Sequence, residues 1–106
     1  QWQLETVRGK AVEYPEDVRP AYVIFSDSNR LHGFSGCNNF FGTYRLTAGG
    51  ISIRPQGMTM MACPPGYSDR PLRGVLLLAD RVELREGTLL LKKGGEVLGT
   101  FTAAED

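Results

Sequence analysis

Short runs of alternating apolar and polar residues, stopped repeatedly by glycine, proline or Asp/Asn clusters, constrain this chain more than any other feature. Period-two alternation places successive side chains on opposite faces of a strand, and frequent turn signals leave room only for short strands. "WQLETV" (residues 2–7) puts Trp2, Leu4 and Thr6 on one face. "AYVIFS" (21–26) is β-branched and aromatic, the composition of a well-buried strand. "DSNR" (27–30) reads as a turn into a returning strand that begins at Leu31. In "FFGTYRLT" (40–47), Phe41, Thr43 and Arg45 face one way and Gly42, Tyr44 and Leu46 the other. "AGG" (48–50) reads as a hairpin turn into "ISIRP", a short strand expected to end at Pro55. Residues 81–102 divide at Glu86–Gly87 and Gly94–Gly95 into a three-stranded meander. The stretch 10–20, with two prolines and several charges, reads as a loop or weak edge segment. Its carboxylates Glu13, Glu16 and Asp17 read as solvated.

One segment departs from this rhythm. In "RPLRGVLLLA" (70–79), Leu72, Val75, Leu76 and Ala79 recur at helical spacing, which predicts one short helix with its apolar stripe on the sheet and Arg73 exposed. Ser68 or Asp69 can cap it, and Pro71 suits the first turn. Gly74 weakens the helix by about 1 kcal/mol relative to alanine. A buried strand through "VLLL" is the competing reading. About eight short strands and one helix predict a mainly β fold, a small antiparallel β-barrel or sandwich.

At 106 residues the chain is a single domain spanning 1–106. Lys plus Arg and Asp plus Glu both total 12, so no net field favours nucleic acid or an anionic membrane. The longest apolar run, residues 75–79, is too short to cross a bilayer, so no transmembrane segment is expected. Because the chain opens at Gln1 rather than methionine, any targeting segment is expected upstream.

No catalytic constellation is legible. The single histidine, His32, lies in a strand without a serine or cysteine motif beside it, and Ser35 lacks the strand–turn–helix setting of a nucleophile elbow. No phosphate loop and no calcium loop is present. The two cysteines come without CxxC spacing or histidine partners, which argues against zinc. Met58, Met60 and Met61 read as core filler rather than copper ligands. No enzyme activity, cofactor or metal is expected.

Two stretches remain, "SGCNNFFGTY" (35–44) and "TMMACPPG" (59–66). The first reads as a stiffened corner, with glycines at its bends and with Asn38 and Asn39 either closing Asx-type turns or satisfying backbone groups that the bend leaves unpaired. Phe40 and Phe41 are adjacent, so one needs cover from a helix end or a second layer. Together with the helix and the terminal meander, these stretches resemble the META/HslJ-like domain family over essentially the whole chain. The pattern falls on Gly36, Cys37, Asn38, Gly42, Tyr44, Thr59, Met61, Ala62 and Cys63. Asn39 departs from a basic position of the family, and the proline-rich segment after Cys63 departs from its acidic residue ahead of the helix.

The resemblance implies a small lipocalin-like antiparallel barrel on envelope proteins and lipoproteins, linked to heat-shock and stress responses, with no settled activity. It also sets Cys37 beside Cys63. A disulfide closing that loop would stabilise by about 3–4 kcal/mol in the chain-entropy model, and two buried free thiols are the alternative. The expected function is a non-enzymatic periplasmic or lipid-anchored domain, monomeric, whose partner is a protein or a small apolar ligand of the envelope. A thiol-redox protein using Cys37 and Cys63, or a small-barrel carrier or inhibitor, is the alternative.

Overall fold

A computed structural model of the chain describes residues 1–14, 19–48, 50–65 and 68–104. Glu16, Asp17 and Gly49, read above as loop and turn, lie outside the described residues. The elements run β1 (Trp2–Val7), β2 (Lys10–Ala11), β3 (Tyr22–Ser26), β4 (Arg30–Phe34), β5 (Asn39–Thr47), β6 (Gly50–Met58), α1 (Arg70–Leu78), β7 (Arg81–Arg85), β8 (Thr88–Lys93) and β9 (Glu96–Ala103).

The nine strands form one antiparallel sheet in the order β2-β1-β3-β4-β5-β6-β7-β8-β9, and it becomes ringlike because β1 also pairs with β9. One edge of β1 meets β3 at Trp2 and Gln3 and β2 at Thr6 and Val7, while the other edge runs along β9. Among the described residues the ring is thinnest between β6 and β7, whose one paired position is Gly50 with Arg81, flanked by the Ile51 N–H donating to the Asp80 carbonyl. The fold is therefore mainly β with one helix, as the alternation predicts. The extra strand is β2, two residues in the stretch read as a weak edge.

Inward positions supply the core: Leu4, Val23, Leu31, Leu91 and Phe101 are almost wholly buried. The helix covers them. Leu72, Val75, Leu76 and Ala79 are buried, as their spacing predicts, whereas Arg73 is exposed. Residues 75–78 are helical, which removes the competing strand. A Cβ at Gly99 on β9 would approach Val75 Cγ2 to 3.0 Å, so glycine there lets the helix sit close to the sheet.

Three local expectations are corrected. Strand β6 does not stop at Pro55 but continues to Met58. Its register shifts where Phe41 faces Gly57 and Gly42 faces Pro55, leaving Gln56 as the extra residue of a bulge that tolerates proline's missing N–H. Phe41 finds no second layer: it is 55% exposed, with its ring over Gly57 of the neighbouring strand. Of the three methionines, only Met58 packs on the core, while Met60 and Met61 are exposed.

Candidate functional site

The bend between β4 and β5 passes the segment after β6 and the start of α1, and here the two cysteine stretches meet. Cys37 and Cys63 are joined by a disulfide, with Cα atoms 5.8 Å apart. The two sulfurs differ in setting, since Cys37 is buried and Cys63 exposed.

Asn38, 4% exposed, organises the corner. Its Oδ1 accepts from Thr59 Oγ1 and from the Met61 N–H, both at 2.8 Å. Its Nδ2 donates to Asp69 Oδ2 at 2.8 Å and to the Met61 carbonyl at 3.3 Å. Both lone pairs and both protons of the amide are thus engaged. The same nitrogen lies 3.6 Å from Cys37 Sγ and 3.9 Å from Cys63 Sγ, over the disulfide. Of the two roles read for the asparagines, the Asn38 side chain takes the second: it satisfies backbone groups, those of Met61 in the other stretch, and closes no Asx turn. Asn39 takes part through its backbone: its N–H donates to Thr59 Oγ1 and its carbonyl accepts from the Thr59 N–H.

Asp69 is the charged partner. Its Oδ1 accepts from Ser35 Oγ at 2.6 Å and from the consecutive backbone N–H groups of Cys37 and Asn38 at 3.1 and 2.8 Å. Successive backbone N–H groups form a concavity suited to an anion, and here the carboxylate fills it. Gly36, at φ +116, makes the bend, and a Cβ there would strike the Ser68 carbonyl oxygen. Burial raises the Asp69 pKa, but the bonds from Ser35, Asn38 and Cys37 outweigh it and hold the carboxyl below its ordinary value.

An acidic residue, Asp69, stands directly ahead of the helix. It occupies the N-cap position, yet its side chain caps nothing in the helix. The Ser68 hydroxyl takes the Arg70 N–H instead, at 3.1 Å. Composition alone does not reveal Asp69 as part of this corner, because the backbone N–H groups and the Ser35 hydroxyl that it accepts from lie more than thirty residues away in sequence.

Of the residues named from the sequence, Gly36, Cys37, Asn38, Thr59, Met61 and Cys63 come together, Met61 through its backbone. Ala62 is exposed. Gly42 and Tyr44 lie elsewhere along β5. A Cβ at Gly42 would meet the Arg54 carbonyl across the strand pair, and the Tyr44 hydroxyl donates to the Ser26 carbonyl at 3.0 Å with its ring edge-on to Phe25.

Sγ of each cysteine and a carboxylate oxygen of Asp69 lie within 4.8 Å of one another. Metal ligation needs thiolates, and these sulfurs are bonded to each other. Beside the corner a groove of about 330 Å³ runs between α1 and β6, lined by Ser35, Phe40, Met58, Met60 and Leu76. Among the described residues no helix is long and apolar enough to cross a membrane.

No curated protein matches the chain. Two solved structures share its fold. A protein from Burkholderia xenovorans, determined by NMR, is 27% identical, superposes with a TM-score of 0.75, and is matched over 99% of this chain and 81% of its own. A second NMR structure is 28% identical, with a TM-score of 0.70 over 95% of this chain and 86% of its own. The META domain model matches residues 1–105. With the disulfide, the asparagine corner and the single helix of this ringlike sheet now located, the chain belongs to the META domain family.

Proposed function

We propose that this chain is a non-enzymatic domain of the bacterial cell envelope, periplasmic or lipid-anchored, serving as a stress-related binding or accessory module. The observation that carries this reading is the Cys37–Cys63 bond at a corner of the fold. Structural disulfides persist in oxidising compartments and are rare in the cytosol. Ser35 donates to Asp69 and both cysteines are bonded, while His32 stands exposed on β4 with no serine or cysteine beside it in the sequence. The groove between α1 and β6, with Phe40, Met58 and Leu76 in its lining, suits a small apolar ligand or a side chain of a protein partner. The test is thiol trapping in intact cells expressing the protein from its own gene, followed by fractionation. The expected outcome is envelope recovery, with both cysteines resistant to alkylation until reduced. Recovery in the cytosol with both thiols alkylated overturns the reading.

One observation favours a thiol-redox role instead: Cys63 is an exposed residue, the setting in which an incoming thiolate attacks a disulfide. Against it stands Asp69, whose Oδ2 lies 3.8 Å from Cys63 Sγ and opposes negative charge there. Rapid equilibration with a glutathione buffer supports the redox reading, and resistance to it supports the structural one.

A further inference from the structure

The outer face of β4–β5–β6 concentrates arginines. Arg30, Thr43 and Arg54 form one cross-strand row, and Arg45 pairs with Ser52 beside it. All three arginines are exposed. Among the described residues none of them is held in an ion pair, whereas Arg8, Arg85, Lys92 and Lys93 each face a carboxylate. They line a shallow groove of about 490 Å³ that also presents Thr43, Ser52 and the bulge residue Gln56. The chain as a whole is neutral, so this local charge does not follow from an overall basic excess. Like charges on neighbouring strands oppose the fold, and an anion between them removes the penalty.

We propose that this groove binds a compact phosphate-bearing anion, gripped by Arg30, Arg45 and Arg54 with the hydroxyls of Thr43 and Ser52. The residue type supports phosphate. Guanidinium groups offer planar, paired donors that match phosphate oxygens, and three of them present more donors than one carboxylate can accept. The confinement of the three arginines to one short groove, in a chain with no net charge, supports a compact ligand over a nucleic acid, which requires an extended basic track.

The test is a ¹⁵N–¹H NMR titration of the intact chain with inorganic tripolyphosphate at about 0.1 M salt, an ionic strength that screens diffuse attraction. Saturable shifts are expected at the amides of Arg30, Thr43, Arg45, Ser52 and Arg54. Arg45→Gln and Arg54→Gln should each weaken binding at least about tenfold, Arg45→Lys by less, and Arg85→Gln not at all. The melting temperature of each variant checks folding, and the lysine variant keeps the test decisive if a glutamine variant unfolds. Absence of saturable shifts overturns the proposal, as does an equal loss with Arg85→Gln. So does tighter binding of a single-stranded oligonucleotide at the same residues, which would make the partner an extended polyanion.

Discussion

The corner around Asp69 and the arginine face of β4–β5–β6 are both polar concentrations on one small sheet, and they treat charge in opposite ways. At the corner one carboxylate collects a hydroxyl, two backbone N–H groups and an amide, and the Asn38 amide is engaged at every position. On the outer face three guanidiniums stand without an ion-pair partner among the described residues. A saturated cluster has little capacity left for a ligand, because any new bond must displace an existing one. An unsaturated cluster holds its capacity open. Asn38, Asp69 and the disulfide thus brace the fold, and the proposed binding capacity lies on the other face.

The largest expected effect comes from cutting the brace covalently. Closing a loop with a sequence separation of 26 residues stabilises by about 3.5 kcal/mol in the chain-entropy model. Reduction, or Cys37→Ser with Cys63→Ser, should lower the unfolding free energy read from a urea melt by that amount without abolishing the fold. An unchanged midpoint would mean that the hydrogen bonds alone hold the corner. Next comes Asn38→Ala, expected to cost about 3 kcal/mol, because it strands the Met61 N–H and carbonyl and one oxygen of Asp69 together. A loss comparable to that of an exposed substitution such as Arg73→Ala, about 0.5 kcal/mol or less, would break the contrast between the two regions.

The sequence shows these two regions unequally. Strand alternation and the helical stripe are local properties, so α1 and most strands could be read with their faces assigned. Leu72, Val75, Leu76 and Ala79 are all buried as their spacing requires. Asp69 could not be read in the same way. Directly ahead of a helix, an aspartate looks like a cap, and only the approach of residues 35–38 turns it toward their backbone. The full length of β6 was hidden by Pro55, since a bulge that tolerates proline is visible only in the register against β5. The arginine face was hidden for a related reason. Arg30, Arg45 and Arg54 are scattered in sequence and become neighbours only through pairing in the sheet.

Acid should weaken the corner by a smaller amount and with a definite sign. The folded-state pKa of Asp69 lies below its ordinary value, so its stabilising contribution is fully present above the unfolded-state value of about 4. It is lost as pH falls through the depressed folded value. Asp69→Asn should therefore destabilise the protein at neutral pH by about 2 kcal/mol, and the gap to the parent should close below pH of about 4. A gap independent of pH would show that the carboxylate's shape, and not its charge, serves the nest of N–H groups.

The smallest effect is the most discriminating for the outer face. If Arg54 makes no bond that the fold needs, Arg54→Gln should change stability by no more than about 0.5 kcal/mol. Its sign should be neutral or stabilising, because one of three like charges is removed. Added salt should shrink any gain by screening the repulsion that remains in the parent protein, a signature opposite to that of a surface ion pair, which salt weakens. Urea melts of parent and variant at low and at roughly molar salt read both quantities. A loss above about 1 kcal/mol would place Arg54 among the groups that hold the fold, and the two regions would then be alike in using charge for structure.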